Sequence, residues 1–490
     1  MTSSLSRRGF ALALPATLLP AMTLPAVLGA CALGPAYRRP GVGMPARFRE
    51  ARVDGAAVWP AADWWQGFRS PALDRLIATA RAHSFDIAAA AARVIEADAA
   101  LRIAGAALLP TVSAAAKDSW SRTFVTSGPG KRYVESRSYS LAPSASYEID
   151  LWGRLRASRQ SALAAALQSR YDAATVALTV VASIATTWFQ AVGYADRISI
   201  ARRNLVASET ILAAIEAGQA AGVNSALDVA QQQALVAGLR AGIPALQSQL
   251  EQTINGLGVL VGEVPERISI PPERLATIAL PEVAPGLPSA LLERRPDVAS
   301  AEAQLIAANA NLRAARAAFF PDVTLTGSAG WSTLALSTLF GPGSLFATAA
   351  ASAVQTVFDN GAIAAQVRQD RARFTELVAG YRKAVVQAFT DVENAAAAYR
   401  LATAQERLER VAVETARRAA GIARAQLLAG TVNIVTSLQA QQTLYADLDT
   451  LSQVRLARLT SLVALYKALG GGWSVADVPT PAHPLFQGIL

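Results

Sequence analysis

The residues that most often perform catalysis or bind metals are scarce in this sequence. The chain contains one cysteine, Cys31, and two histidines, His83 and His483. A single thiol excludes a disulfide framework and a thiolate metal cluster. Two histidines leave little room for histidine-based catalysis or for a zinc site. The remaining chemistry is therefore that of one thiol and of carboxylates.

The carboxylates do not form a convergent catalytic pattern. Glu393, Glu406 and Glu409 lie in a long predicted helix, where a solvated helix surface explains them better than paired acid–base work. The sequence contains no G-x-S-x-G, H-E-x-x-H or Walker motif and no cofactor fingerprint. We expect that the protein is not an enzyme and that it binds no metal and no cofactor other than a covalent lipid.

The single thiol follows an N-terminal export signal. Residues 1–30 carry no acid, and a pair of arginines precedes an apolar stretch, which is the order of a signal peptide. The stretch ends in Leu-Gly-Ala-Cys at 28–31, which is typical of a bacterial lipobox, so Cys31 is the predicted lipid attachment site. Ala32, in place of the retention signal Asp, indicates sorting to the outer membrane. Sec and twin-arginine export both remain open, and a buried free cysteine after an ordinary signal is the alternative.

The composition limits the class of protein. Of 490 residues, 52% are apolar and 17% are charged, which excludes a disordered chain. Beyond the N-terminus there is no run of about 18 apolar residues, so a polytopic helical membrane protein is also excluded. The net charge of +9 is modest, and no phosphate-reading motif accompanies it. We expect no nucleic-acid partner.

The chain contains an internal duplication. Residues 86–116 align without gaps on residues 297–327. The matched residues outside runs of alanine are Asp86 and Asp297, Leu101-Arg102 and Leu312-Arg313, Pro110 and Pro321, Val112 and Val323, and, further on, Gly153 and Gly361. Each half therefore predicts a helix, two short alternating segments and long returning helices.

The alternating segments predict β-strands with one apolar face. Residues 138–150 and 322–332 alternate between apolar and polar, whereas 111–122 and 346–358 are weaker matches that serve as their hairpin partners. Segments of about ten residues, apolar outside and polar inside, are typical of membrane β-barrels. A pair of soluble hairpins is the alternative. Because four strands cannot close a membrane barrel, three copies supplying twelve strands are expected to complete it.

The helices that follow the strands are unusually long. No proline interrupts the chain between Pro143 and Pro244 or between Pro342 and Pro479. Small or apolar residues recur at alternating steps of four and three from Phe374 to Tyr399, which predicts a heptad seam. A helix of about 60 residues would extend about 90 Å, the scale of an element that crosses the periplasm.

Several ordered motifs resemble one family. They are Leu292-Glu293-Arg294-Arg295-Pro296-Asp297-Val298, Ala317-Ala318-Phe319-Phe320-Pro321, Trp64-Trp65 with Pro71-Ala72-Leu73, and Tyr147-Glu148-Ile149-Asp150-Leu151-Trp152-Gly153-Arg154. Through these motifs, residues 31–472 resemble the TolC-like outer-membrane efflux proteins, most closely the NodT or OprM lipoprotein type. The fold class implied is an α+β membrane protein, in which a long α-helical coiled-coil tunnel joins a four-stranded contribution to a trimeric 12-stranded outer-membrane β-barrel.

The resemblance also implies an organisation and partners. The predicted segments are a lipoprotein signal peptide (1–30), an N-terminal equatorial segment anchored by Cys31 (31–85), a first repeat (86–261), an equatorial linker (262–290), a second repeat (291–472) and a C-terminal tail (473–490). The implied function is the passive exit duct of a tripartite efflux pump, as a homotrimer in the outer membrane of a Gram-negative bacterium. The implied partners are a periplasmic adaptor, an inner-membrane transporter of RND type and outer-membrane lipids.

Two turns carry the implied docking site. The turns between tunnel helices match Ala221-Gly222-Val223 and Ala429-Gly430-Thr431, so Gly222, Val223, Gly430 and Thr431 are the candidate adaptor-docking residues. Glycine permits a tight reversal and a close backbone approach. A purely local turn role for each glycine is the alternative.

A constriction is expected just past these turns, where related channels carry acidic residues. Asp228 fits the first-repeat position, but the second-repeat positions are Thr436 and Gln439, which depart from that pattern. Three copies of Asp228 would form a ring of carboxylates that attracts cations. A solvated helix-surface aspartate is the alternative, and narrowing of the pore by Leu227 and Leu438 is a further hypothesis.

Two other functions compete with the duct. A periplasmic adaptor lipoprotein would also be lipidated and coiled-coil, but it would carry one helical hairpin rather than a repeated helix–strand–strand–helix unit. An enzyme of the cell envelope would need the convergent site that the sequence lacks.

Overall fold

The computed structural model describes residues 37–43, 45, 48–49, 59–127, 130–270, 273–283 and 294–473. The predicted signal peptide, the lipidation site Cys31 and almost the whole C-terminal tail lie outside the described residues, as do parts of the N-terminal segment and of the linker. The bounds in sequence order are α1 (Pro71–His83), α2 (Phe85–Ala106), β1 (Thr111–Ser127), β2 (Gly130–Ile149), α3 (Arg154–Ala220), α4 (Ala226–Val261), α5 (Pro296–Ala317), β3 (Asp322–Thr333), β4 (Leu345–Val354), α6 (Ala362–Leu428) and α7 (Ile434–Ala468).

The chain divides into two compact units. Among the described residues, the sheet unit consists of 104–160 and 309–371, and the helical unit consists of 38–103, 161–308 and 372–473. The helices α3 and α6 each contain 67 residues without a break. The order of helix, two strands and two long helices occurs twice along the chain.

The sheet unit is one antiparallel sheet in the order β1-β2-β3-β4. Its strands begin within a few residues of the predicted starts, except that β2 begins at Gly130 and not at 138. Pairing of β1 with β2 continues to Ser127 and Gly130, so this hairpin is longer than the alternation predicted. The polar residues near its end break the pattern in the sequence without breaking the ladder of backbone hydrogen bonds.

The last strand is shorter than predicted, because β4 ends at Val354 and not at 358. The carboxylate of Asp359 accepts hydrogen bonds from the backbone N–H groups of Gly361 and Ile363, at 2.8 and 2.7 Å. Asn360 adopts a positive φ of 55° in the same turn. The backbone from Asp359 onward therefore forms the turn that starts α6 and no longer pairs with β3. The same backbone hydrogen bonds lower the pKa of the Asp359 carboxyl.

The strand register separates a polar face from an apolar face. Ser113 faces Ser144 and Ser119 faces Ser138, and each pair is joined by a hydroxyl–hydroxyl hydrogen bond. Ser328 bonds Thr348 in the same way. The neighbouring positions form the opposite face, which contains Val112, Leu141, Tyr147, Leu325, Trp331, Ala347 and Ala351. This two-sided pattern follows from the period of two along each strand.

The helical unit has an aromatic core. Trp188 and Phe189 of α3 are fully buried and pack with Phe68 and Tyr466. Ser70 caps α1 by accepting a hydrogen bond from Leu73 N–H, and Pro71 occupies the first helical turn. Trp64 stacks on Tyr466 at 4.9 Å between ring centroids. The Trp-Trp and Pro-Ala-Leu motifs therefore fasten the N-terminal segment onto the long helices.

The predicted heptad seam in α6 is confirmed. Tyr381, Val385, Ala388, Val392 and Ala395 are buried. Their spacing of four and three residues keeps them on one helix face, which packs inward. Among the described helices, α3 alone contains an 18-residue stretch that is apolar enough to cross a membrane, and 56% of that stretch is buried within the protein.

Candidate functional site

The first predicted docking turn joins α3 to α4. Gly222 has a φ of +75°, and Val223 N–H donates to Gly218 O at 2.8 Å. This is the left-handed closure that commonly ends helices and that favours glycine. A Cβ added at Gly222 would meet no atom within 4 Å. The Val223 side chain is 80% exposed, so the turn presents an apolar side chain beside accessible backbone.

The start of α4 explains Asp228 locally. Its carboxylate accepts hydrogen bonds from Ser225 N–H and Oγ at 2.8 Å each, and Asp228 N–H donates to Ser225 Oγ at 3.2 Å. These bonds form a capping box, which satisfies backbone donors that the helix leaves unpaired. The spacing Ser-x-x-Asp carried this signal in the sequence. Asp228 is half-buried at the start of α4, and its part in a pore ring stays a prediction.

The second docking turn joins α6 to α7 with the same backbone and different side chains. Gly430 has a φ of +69°, and Thr431 N–H donates to Gln426 O at 2.9 Å. Asn433 caps α7 by accepting from Thr436 N–H at 3.0 Å and from Thr436 Oγ1 at 2.8 Å. The hydroxyl of Thr436 is therefore used within the turn.

The structure brings the two turns together. Ile211 and Ile215 of α3, Val229 of α4, and Ile434 and Leu438 of α7 form one buried cluster. Shared burial of these side chains fixes the spacing of the turns. Leu438 therefore packs inside the helical unit, and the hypothesis that it narrows a pore is wrong.

The remaining constriction candidates stay at the surface, as Leu227 is 65% exposed and Gln439 is exposed. Deeper in the unit, the amide of Gln232 donates to Ser208 O at 2.8 Å and joins α4 to α3. Gln232 and Gln233 recur in the second repeat as Gln441 and Gln442.

Glu406 contradicts its assignment to a solvated helix surface. It is 2% exposed, and its carboxylate accepts hydrogen bonds from Arg410, Arg455 and Arg458 at 2.5, 3.0 and 2.9 Å. Burial raises its pKa, but the bond from Arg458 and the charges of the three arginines lower it further, so the net shift is downward. The heptad pattern could not reveal this, because the partners lie on two helices.

Arg410 and Arg458 also line a cavity of about 360 Å³, which we call the arginine cavity. Its lining residues are Arg400, Thr403, Ala404, Glu406, Arg407 and Arg410 of α6 and Arg458 of α7. Glu406 is the only carboxylate among these lining residues, so positive charge is in excess there. Within the described part of the chain, Arg407 has no ion-pair partner.

Two other predicted surface or motif residues are structural. Glu393 is buried and accepts a hydrogen bond from Arg49 N–H at 2.6 Å, so its assignment to a solvated face is also wrong. Arg295, from the Arg-Arg-Pro-Asp motif, forms ion pairs with Asp297 and Asp391 and donates to Ala468 O at 3.1 Å. The motif thus ties α5 to α6 and α7.

Comparison with known proteins identifies the family. The family model described as outer membrane efflux protein matches residues 76–263 and 287–471. The chain belongs to the outer membrane efflux protein family. The resemblance to TolC-like channels is thereby confirmed, and the periplasmic adaptor alternative is not supported.

Relatives agree with this assignment. The pyoverdine export outer membrane protein OpmQ of Pseudomonas aeruginosa is 39% identical over 84% of this chain and 87% of its own length. The probable efflux pump outer membrane protein TtgC of Pseudomonas putida is 34% identical over 84% of this chain and 85% of its own length. This efflux protein is thus an outer-membrane exit duct.

Solved structures share the fold. The outer-membrane channel OprN aligns with a TM-score of 0.85 at 27% identity, covering 90% of this chain and all of OprN. The open-state channel MtrE of Neisseria gonorrhoeae aligns with a TM-score of 0.82 at 29% identity, covering 92% of this chain and all of MtrE. Members of the family are channel and transport proteins. Among the described residues of this efflux protein, no cluster of His, Cys, Asp or Glu could hold a metal ion.

Proposed function

We propose that three copies of this chain form the outer-membrane channel of a tripartite efflux pump. The observation that carries the proposal is the four-stranded sheet with one apolar face and with β1 and β4 at its edges. Exposed strand edges are not tolerated in lipid, and the smallest membrane barrels need about eight strands. Twelve strands from three copies satisfy both requirements, and the long helices then supply a twelve-helix tunnel.

The mass of the protein in mild detergent tests this stoichiometry. We expect the mass of three chains after subtraction of bound detergent, and channel conductance when the same fraction is added to planar bilayers. A stable monomer that conducts would contradict the proposal. The internal duplication fits it, since the family model matches two segments and the elements repeat in order.

We infer that the two helix turns receive a periplasmic adaptor, which connects the channel to an inner-membrane transporter of RND type. The support is the exposed side chain of Val223 and the open Cβ positions of Gly222 and Gly430. Co-purification of the adaptor with the wild-type channel, and its loss when both turns carry bulky residues, is the expected result. Retention of the adaptor by that variant would reject the docking role.

Lipid attachment at Cys31 remains part of the proposal. One acyl chain anchors a protein weakly, whereas two or more hold it stably, so a triacylated cysteine suits a permanent resident of the outer membrane. Labelling cells with radioactive palmitate should mark the wild-type chain and leave Cys31→Ser unmarked. Equal labelling of both would exclude this site.

The names of two relatives give a starting point for the cargo. Both are named for pyoverdine export, so a siderophore is the first cargo to test. Deletion of the gene should lower the secreted amount of the host's siderophore, and the wild-type chain should restore it. An unchanged amount would direct the search to drugs or metal ions.

A further inference from the structure

The four tunnel helices are joined in one series. Arg240 of α4 pairs with Glu209 of α3, Arg197 of α3 pairs with Asp449 of α7, and Arg455 of α7 pairs with Glu406 of α6. The series is therefore α4–α3–α7–α6. In a closed ring of three copies, α6 at one end of the series must meet α4 of the next copy.

The exposed side of α6 is suited to such a contact. Large apolar side chains that are more than half exposed follow this helix, namely Leu401, Leu408, Val411 and Ile422. Beside them lies the arginine cavity, whose lining contains four arginines and the single carboxylate of Glu406. Arg407 in this lining is exposed and, within the described residues, has no ion-pair partner, so its guanidinium is available to an approaching carboxylate.

The corresponding helix α4 offers one carboxylate at the right level. Between Asp228 at its start and Val261 at its end, Glu251 is the only acidic residue. It is exposed, and within the described residues it has no ion-pair partner. At about 1.5 Å per residue, Glu251 lies about 38 Å from the start of α4, whereas Arg400 and Arg407 lie about 42 and 32 Å from the end of α6. Because the two turns are packed together, the level of Glu251 falls between those of Arg400 and Arg407 and lies about 6 Å from that of Arg407.

We propose that the carboxylate of Glu251 enters the arginine cavity of a neighbouring copy and pairs there with Arg407. The proposal rests on the trimer proposed above and names a contact within it. The opposite charges of Glu251 and Arg407 favour a second copy of the chain, rather than a free anion, as the occupant of the cavity. The pair would also fix the vertical register of neighbouring copies, which an apolar stripe alone leaves free to slide.

Charge reversal provides the first test. Glu251→Arg and Arg407→Glu should each raise the dissociation constant of the trimer by about tenfold or more, because like charges then meet at the contact. The double variant should recover most of the loss. Glu266→Arg is the matched control, since Glu266 is an exposed glutamate in the short turn after α4 and undergoes the same change of charge. Additive losses in the double variant would overturn the proposal.

Cysteine crosslinking separates this proposal from that of the trimer. Glu251→Cys combined with Arg407→Cys should form a disulfide between copies under mild oxidation, and Glu266→Cys combined with Arg407→Cys should not. Trimers without the first crosslink would reject the contact and leave the channel proposal intact. If inorganic phosphate stabilises the trimer, and Arg407→Glu alone removes this effect while Glu251→Arg does not, the cavity is an anion site and the proposed pair is wrong.

Discussion

The two helical hairpins of this channel share a backbone and differ in their side chains. Both turns use a left-handed glycine, Gly222 or Gly430, followed by a capped helix. The caps differ, since Ser225 works with Asp228 in one hairpin and Asn433 works alone in the other. The charge also differs, because a buried carboxylate stands in the second hairpin where the first has an apolar residue. Backbone geometry is therefore retained, and side chains are free to specialise.

The largest expected difference between the two hairpins is the stability lost when Glu406 is substituted. When Gly222 is aligned with Gly430, Glu406 corresponds to Ile198, which is also buried. Glu406→Gln leaves Arg455 and Arg458 without their counter-charge and should cost about 3–5 kcal/mol of unfolding free energy. Ile198→Val, the matched change in the first hairpin, should cost about 0.5–1.5 kcal/mol. Denaturant unfolding of the two variants measures both, and equal losses would contradict the asymmetry.

The same residue predicts a dependence on pH. The pKa of Glu406 is lower in the folded chain than the unfolded value of about 4.3. Its contribution to stability is therefore fully present above the unfolded pKa and is lost as pH falls through the folded pKa. Wild-type stability should decrease more steeply below about pH 4.3 than that of Glu406→Gln. Parallel curves would indicate that Glu406 does not control this loss.

The glycines should respond alike in the two hairpins. Gly222→Val and Gly430→Val force a branched side chain into a positive φ, which costs about 1–3 kcal/mol of local strain without a steric clash. We expect trimers to persist and export to fail, as measured by accumulation of a pump substrate. Gly222→Asn and Gly430→Asn are the controls, because asparagine tolerates this conformation. Export that continues in both valine variants would leave the glycines with a local turn role only.

Removal of the two helix caps should produce a smaller difference in stability between the hairpins. Ser225→Ala and Asn433→Ala each remove an acceptor from the start of a helix and should cost about 1 kcal/mol. In Ser225→Ala the Asp228 carboxylate still accepts from the backbone N–H of residue 225, so we expect the smaller loss there. Melting temperatures of the two variants would compare them directly. A larger loss for Ser225→Ala would remove this distinction between the hairpins.

The smallest effect on stability is expected for Asp228→Asn. The amide oxygen can still accept the capping hydrogen bonds, so the unfolding free energy should change by less than about 0.5 kcal/mol. Cation preference in single-channel recordings should fall if three carboxylates line the constriction. Unchanged selectivity would assign Asp228 to capping alone, and Thr436→Asp would test whether the second hairpin can supply a ring instead.

Periodicity in the sequence predicted most of the fold. The heptad seam from Phe374 to Tyr399 and the alternation of 322–332 both report local geometry, which repeats along the chain. The far end of the first hairpin was missed, because its backbone pairing persists where the side chains stop alternating. Strand β4 was overextended, since the cap at Asp359 is a local exception to the pattern.

Some residues of the candidate site could be predicted from the sequence and others could not, for a physical reason. The glycines of the turns have a backbone signature that a sequence repeat exposes, whereas the environment of Glu406 depends on arginines that lie 49 and 52 residues away on another helix. Capping by Asp228 was readable from Ser225 three residues earlier. Burial of Leu438 was not, because Ile211, Ile215 and Val229 in its cluster belong to the other helix hairpin.

The length of the first β-hairpin gives access to the protein on living cells. A membrane strand needs about 9–11 residues, whereas β1 and β2 contain 17 and 20 residues. In the proposed barrel, several residues at the hairpin end therefore extend beyond the bilayer, where Phe124 and Tyr133 pack edge to face. An antibody raised against this hairpin would count channels on intact bacteria, and an epitope tag inserted there would report assembly without lysis.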